Sequence, residues 1–278
     1  MRWKQFFTPV SSVDADEARD ILAGMPADEV TILDVRQPGE YAAGHIPGAR
    51  LIPLAQLSDR LKEIPKASTT LVYCAIGGRS RVAAQMLSGK GFSKILNLTG
   101  GFKAWNGEAA VGPMDKGLEL FDGSETLEEI LKVAYSLEMG LREFYLSMQD
   151  KVEGREVKGL FGRLAEIEVH HEQRILDEYN QATGAALSRE EFESQVTVRA
   201  MEGGLTTEEY TALFQPDWNS VQDILGMAMT IEAQAMDLYM RTADTCAGSS
   251  KEALLRIADE EKTHLRLLGE MADKLAEA

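Results

Sequence analysis

The chain has 278 residues, with 45 Asp and Glu against 29 Lys and Arg, for a formal net charge of −16. That acidic balance argues against nucleic acid or an anionic membrane as partner, because both would repel it. Two cysteines, Cys74 and Cys246, leave no disulfide framework and point to a reducing cytoplasm.

Residues 1–112 alternate short apolar runs with amphipathic stretches. Helices are expected over residues 15–24, 54–61 and 80–89, and buried strands over 30–35, 70–73 and 95–98. This alternation predicts an α/β domain with a mostly parallel sheet. Ligand sites in such sheets lie at the carboxyl ends of the strands, where Cys74 follows Leu71-Val-Tyr. The glycine-bearing loop Ala75-Ile-Gly-Gly can fold around the sulfur with its N–H groups turned inward, and Arg79 adds a positive charge. Ser80 is placed to cap the following helix. Such a loop stabilises a thiolate, a persulfide or an oxyanion, whereas a free Cys is otherwise a small buried hydrophobe.

Residues 106–117 are poor in large apolar side chains and read as a linker, taken to run to residue 125. Thr126 with Glu129 forms a capping box that opens a long helix. Gly184 closes the second helix, and a long connection runs to about Ser220, with short helix starts at Ser188-Arg-Glu-Glu-Phe and Thr206-Thr-Glu-Glu-Tyr. Residues 126–278 repeat one set of side chains. Glu138 in ILKVAYSLEMGLREFY matches Glu232 in ILGMAMTIEAQAMDLY, and Glu168-x-x-His171 matches Glu261-x-x-His264. Residues three apart share a helix face. Four such helices in a bundle bring four carboxylates and two imidazoles together, the ligand set of a dinuclear metal centre. A lone Glu on a helix ordinarily belongs to a solvated face, but the neighbours of Glu138 and Glu232 are largely apolar. A carboxylate buried there must be paired or bind metal. Tyr145 and Tyr239, seven residues after the two lone glutamates, serve core packing, a hydrogen bond to a ligand carboxylate or a redox-active role.

Charge is uneven between the halves. Residues 1–112 carry 13 Lys and Arg against 11 Asp and Glu, while the rest carries 16 against 34, which suits metal cations. No stretch is apolar enough to span a membrane, and the first seven residues are not followed by the apolar run of a secretory signal. Cys246 reads as a plain turn residue between the third and fourth long helices.

Two resemblances follow from these motifs. Asp34-Val-Arg-Gln-Pro-Gly-Glu-Tyr, Gly44-His-Ile-Pro-Gly-Ala, Cys74-Ala-Ile-Gly-Gly-Arg-Ser and Gly100-Gly-Phe-Lys-Ala-Trp, in that order, resemble the rhodanese sulfurtransferases. That resemblance implies that Cys74 takes a sulfane sulfur as a persulfide and passes it to a thiol or cyanide. It makes Arg79 the residue closing the loop of Ala75, Ile76, Gly77, Gly78 and Ser80, with Asp34 and Arg36 supporting it. Four residues between Cys74 and Arg79, rather than the five of related phosphatases, favour sulfur over phosphate. The uncharged loop leaves a persulfide or polysulfide donor open beside thiosulfate, with Arg36, Arg50 and Arg81 as charges outside it.

Residues 126–278 resemble the ferritin-like, rubrerythrin-type di-iron bundles. This implies Glu138, Glu168, His171, Glu232, Glu261 and His264 as ligands of two irons, with manganese or zinc as substitutes, and a homodimer. The chain departs from that family in two respects. Ala235 and Met236 stand where a further carboxylate is usual, and two cysteines cannot build the four-cysteine module that often delivers electrons. Together the resemblances imply sulfur transfer joined to reduction of oxygen or peroxide by an external electron donor. The alternative is an iron storage, delivery or sensing bundle supplied with sulfur.

Overall fold

The computed structural model describes residues 10–107, 109–121, 124–197, 201–205, 209–210 and 216–276. The chain divides into two units, Met1–Lys116 and Gly117–Ala278.

The first unit is built on β2 (Val30–Asp34) and β4 (Thr69–Tyr73), which pair in parallel from Val30 with Thr69 to Asp34 with Tyr73. β5 (Ile95–Leu98) flanks β4, and β1 (Ser11–Val13) lies outside β5; β3 (Arg50–Leu51) pairs with β2 on the other side. Every pairing is parallel. Alternate residues of the central strands enter different cores. Ile32, Leu71 and Tyr73 join Tyr41, Leu98 and Trp105 on one side, and Leu33 and Val72 join Ala83, Ala84 and Leu87 on the other. Both faces are covered, which is why these strands read as continuous apolar runs rather than alternating ones.

Three helices accompany the sheet. α1 (Ala15–Gly24) begins at Asp14, whose side chain accepts from the Glu17 N–H; α2 (Pro38–Ala42) begins with proline in its first turn; α3 (Gly78–Gly89) follows the Cys74 loop. The helix expected over residues 54–61 does not form. Two separate 3₁₀ turns, Leu54–Gln56 and Leu61–Glu63, occupy that stretch. Leu54, Leu57 and Leu61 keep helical spacing, but Ser58 and Asp59 between them are poor helix formers, and eight residues cannot outweigh them.

The second unit carries four long helices: α4 (Leu127–Lys151), α5 (Arg155–Thr183), α7 (Val221–Ala243) and α8 (Gly248–Ala276), with the short α6 (Arg189–Glu193) between α5 and α7. Thr126 and Glu129 form the expected capping box, with the Thr126 N–H donating to Glu129 Oε2 at 2.8 Å. Gly184 ends α5 at φ 70°, a left-handed position that glycine adopts at no steric cost. Ser188 caps α6; the second short helix start, at 206–210, lies largely outside the described residues. Among the described residues no helix is long and apolar enough to cross a membrane.

The bundle interior is layered. One apolar cluster gathers Leu141, Phe144, Leu164, Ala165, Ile231 and Leu268, and another gathers Leu137, Ile175, Ala235, Leu238, Ala258 and their neighbours. The six repeated Glu and His positions fall between these clusters on all four helices. Glu138 follows Leu137 and precedes Leu141; Glu232 follows Ile231 and precedes Ala235.

Candidate functional site

Cys74 sits directly beyond β4, at the carboxyl edge of the sheet, with only 1% of its surface exposed. The Gly77 N–H donates to its sulfur at 3.1 Å. Gly77 holds φ 94° to turn the loop into α3. Gly101, at φ 61°, brings the chain after β5 against the same loop, where a Cβ would lie 2.2 Å from the Cys74 carbonyl oxygen. The Phe102 and Lys103 N–H groups then donate to the Cys74 and Ala75 carbonyls at 2.7 and 3.0 Å. The loop is therefore clamped from beneath, while Ile76 at its rim is 70% exposed. Burial pushes the Cys74 thiol up, but the Ser80 hydroxyl and the N–H groups of Ser80, Ile76 and Gly77 outweigh it and hold the thiol below its ordinary value.

Ser80 does not cap α3, contrary to expectation. Gly77 occupies the cap position, and Ser80 lies inside the first turn, fully buried. Its hydroxyl reaches Asn97 Oδ1 at 2.7 Å and the Gly77 carbonyl at 3.2 Å. Arg79 donates through Nη1 and Nη2 to the two carboxylate oxygens of Glu40 at 2.8 and 2.7 Å. Hydrogen bonding from Arg79 outweighs burial and pulls Glu40 down to about 2. Asp34 and Arg36 form a buried pair, with Arg36 Nε and Nη2 donating to Asp34 Oδ2 at 2.8 and 2.7 Å. Arg36 Nη2 also donates to the Gly44 carbonyl at 2.7 Å, and the guanidinium lies 4.5 Å from the Phe102 ring centroid. That pair braces the loops at the ends of β2 and β4, and it offers no free charge to a bound anion.

In the bundle, the residues fall into two groups of three, Glu138 with Glu168 and His171, and Glu232 with Glu261 and His264; within each group the ligand atoms lie within 4.8 Å of one another. His171 Nδ1 stands 2.9 Å from Glu168 Oε2 and 3.4 Å from Glu138 Oε2. His264 Nδ1 stands 3.0 Å from Glu261 Oε2 and 3.7 Å from Glu232 Oε2. The two imidazoles stack with centroids 3.7 Å apart, which sets the groups side by side. Burial alone would lower His171, but Glu138 and then Glu168 hold it protonated up to about 11, a sign of how strongly this layer attracts positive charge.

The donor set fits metal. Apart from the facing His171, no group donates to either carboxylate oxygen of Glu138 or of Glu168, although both side chains are buried. Buried oxygens of that kind are costly unless a cation completes them. Four carboxylates also balance the charge of two divalent ions, and mixed oxygen and imidazole ligands suit iron, manganese or zinc.

Two family models match the chain. One described as rubrerythrin matches residues 129–212 and 223–278, and one described as rhodanese-like domain matches residues 14–108. The chain belongs to the rubrerythrin family, with a rhodanese-like domain ahead of the bundle. Curated relatives resemble about a third of it. The uncharacterized protein YqhL of Bacillus subtilis is 48% identical over 77 residues, 28% of this chain and 61% of its own length. A sulfurtransferase of Allochromatium vinosum is 36% identical over 96 residues, 34% of this chain and 88% of its own. The thiosulfate sulfurtransferase GlpE of Pseudomonas entomophila is 38% identical over 90 residues, 31% of this chain and 83% of its own.

Within this rubrerythrin bundle, Ala235 is fully buried in an apolar cluster with Met236 packed beside it, so neither offers a ligand atom. Tyr145 and Tyr239 are fully buried in opposite apolar clusters, where they pack. Cys246 lies half-buried in the turn between α7 and α8. Sequence reasoning missed Glu172, which follows His171 and is fully buried between Arg142, at 2.6 Å, and Arg189, at 2.7 Å. Its only signal was a fourth acidic or imidazole residue in Glu168-Val-His-His-Glu172. It missed Glu40 and Asn97 as well, although both lie within or beside the motifs around Cys74.

Proposed function

We propose that this protein is a sulfurtransferase that carries sulfane sulfur on Cys74 and reduces oxygen or peroxide at a dinuclear metal centre in its bundle. The observation that supports the second activity is the pair of three-residue ligand groups set side by side in one buried layer. At Cys74, the thiolate attacks the outer sulfur of a donor, the donor's S–S bond breaks, and the donor fragment leaves with the bonding electron pair. Inward N–H groups, led by that of Gly77, stabilise the anionic sulfur before and after transfer. A thiol or cyanide then attacks the outer sulfur of the Cys74 persulfide and frees the thiolate. Thiosulfate, named for the Pseudomonas relative, is one candidate donor.

In the bundle, Glu138, Glu168 and His171 would hold one metal ion, and Glu232, Glu261 and His264 the other. When bound, two iron ions would supply the redox and Lewis-acid chemistry that reduction of oxygen or peroxide requires. The chain's own part is to fix the ligands on four rigid helices and to exclude water with the apolar clusters on either side. His171 and His264 turn Nδ1 toward the carboxylates of their own groups, so Nδ1 is the nitrogen each would offer to an ion held there.

The test measures metal per chain and peroxide consumption by reduced protein, before and after Glu138→Ala with Glu232→Ala. About two irons per chain are expected, with peroxide turnover abolished in the double variant and sulfur transfer from thiosulfate to cyanide retained. Failure to bind iron after anaerobic reconstitution would sink the ligand assignment. Labile iron with weak peroxide turnover would instead favour storage, delivery or sensing.

A further inference from the structure

We infer that the Cys74 site favours an organic persulfide over thiosulfate as sulfur donor, and that Glu40 is the residue that sets this preference. The inference rests on the sulfurtransferase reading above and names the substrate class of that site. Thiosulfate is a dianion, and a site that prefers it needs net positive charge near the attacking sulfur. The loop after Cys74 has one cation, Arg79, since Ala75, Ile76, Gly77 and Gly78 are uncharged. Both oxygens of Glu40 are bonded to that guanidinium, at 2.7 and 2.8 Å.

Glu40 stays ionised throughout the neutral range, because its hydrogen bond from Arg79 keeps the carboxyl near 2. The pair is therefore neutral at working pH, and its field at the sulfur falls off as that of a dipole rather than a charge. Arg36 is matched in the same way by Asp34, deeper in the fold. Arg81 on α3 and Lys103 on the strap after β5 are exposed, so water and salt screen them. What the rim does offer is Ile76, 70% exposed beside the sulfur. An apolar side chain there suits the carbon-bearing part of a persulfide R–S–SH and gives nothing to three sulfonate oxygens.

The two donors react in parallel ways. With an organic persulfide, the Cys74 thiolate bonds to the outer sulfur, the S–S bond breaks, and R–S⁻ departs with the electron pair, leaving Cys74–S–SH. With thiosulfate, the same attack releases sulfite and leaves Cys74–S–S⁻. Only the second brings two negative charges up to the Glu40–Arg79 pair, so the Glu40 charge acts against thiosulfate more than against the persulfide.

The experiment follows persulfide formation on Cys74 by intact mass in single turnovers, using full-length protein in a Cys246→Ser background. Cysteine persulfide and thiosulfate are compared as donors for the parent chain, Glu40→Gln and Glu40→Asp. The parent is expected to react faster with cysteine persulfide. Glu40→Gln should raise the thiosulfate-to-persulfide rate ratio by about three- to tenfold, the size of removing one unit charge near a dianion at a wet surface. That rise should shrink with added salt. Glu40→Asp, which keeps the charge, should keep the parent ratio, so a fold defect common to both variants is told apart from a charge effect. A parent chain that prefers thiosulfate, or a ratio that Glu40→Gln leaves unmoved, overturns the inference and leaves the sulfurtransferase reading standing. Transfer from neither donor overturns that reading and the inference with it.

Discussion

At Cys74 the protein stabilises one negative charge with backbone N–H groups, whereas in the bundle it gathers four carboxylates with almost no donors. The Gly77 N–H lies 3.1 Å from the sulfur, while the oxygens of Glu138 and of Glu168 face His171 and no other donor. The loop is electrostatically complete within the chain: its one anion has donors, and its one cation has Glu40. The bundle layer holds four carboxylates against two imidazoles, a set that cations would complete. On the proposed reading these are two ways of holding buried charge, one by preorganised dipoles and one by carboxylates that metal ions would complete.

The largest effect that can break this comparison is loss of the nucleophile. Cys74→Ser should lower sulfur transfer by at least about a thousandfold, since a serine hydroxyl is scarcely ionised where a thiol is. Metal content should not change, because no residue of either ligand group belongs to the loop. Coupled assays of transfer and bound metal on one preparation decide it. Retained transfer would place the reactive sulfur at Cys246 instead.

A smaller effect sharpens the electrostatic side. Ser80 is buried, with its hydroxyl shared between Asn97 and the Gly77 carbonyl, and it lies close enough to the sulfur to hold the thiol down. Ser80→Ala should raise the Cys74 pKa, because the thiolate loses a hydrogen-bond donor. The sign matters: with a higher pKa, sulfur uptake at neutral pH falls, and full rate returns only in more alkaline solution. Thiolate absorbance against pH, in a Cys246→Ser background, gives the inflection. An unmoved inflection would leave the thiolate to the backbone N–H groups alone.

How much of this was readable from the chain depends on how each feature is encoded. The central strands were legible because residues 30–35 and 70–73 are short, β-branched and buried on both faces. β1 was not, for Ser11-Ser-Val has neither alternation nor apolar bulk and becomes a strand only by pairing with β5. The six repeated Glu and His residues stood out because the two helix pairs present them at matching offsets, and their grouping follows from helix geometry. Glu172 did not stand out, since a glutamate between arginines looks like a solvated helix face until the helices are packed. Glu40 and Arg79 are 39 positions apart, and only the sheet brings them together. Ser80 was placed at the cap because serine favours that position, but the glycine turn moved the cap three residues earlier, to Gly77.

The smallest effect carries a change of sign. Glu168 is buried and faces His171 Nδ1 at 2.9 Å among three other carboxylates. Burial together with the nearby Glu138 and Glu232 disfavours its charged form. Without metal, Glu168→Gln removes the cost of burying this carboxylate or of protonating it on folding, and should stabilise the bundle by about 1 kcal/mol. With metal, the same change removes an oxygen ligand and should lower stability, because binding to the folded state weakens. Thermal midpoints in chelator and in excess ferrous or manganous ion give the two signs on one protein. A loss in both conditions would mean that Glu168 serves its pairing with His171 rather than an ion. Opposite signs would mean that the layer is tuned for the metal-bound state at the expense of the empty one.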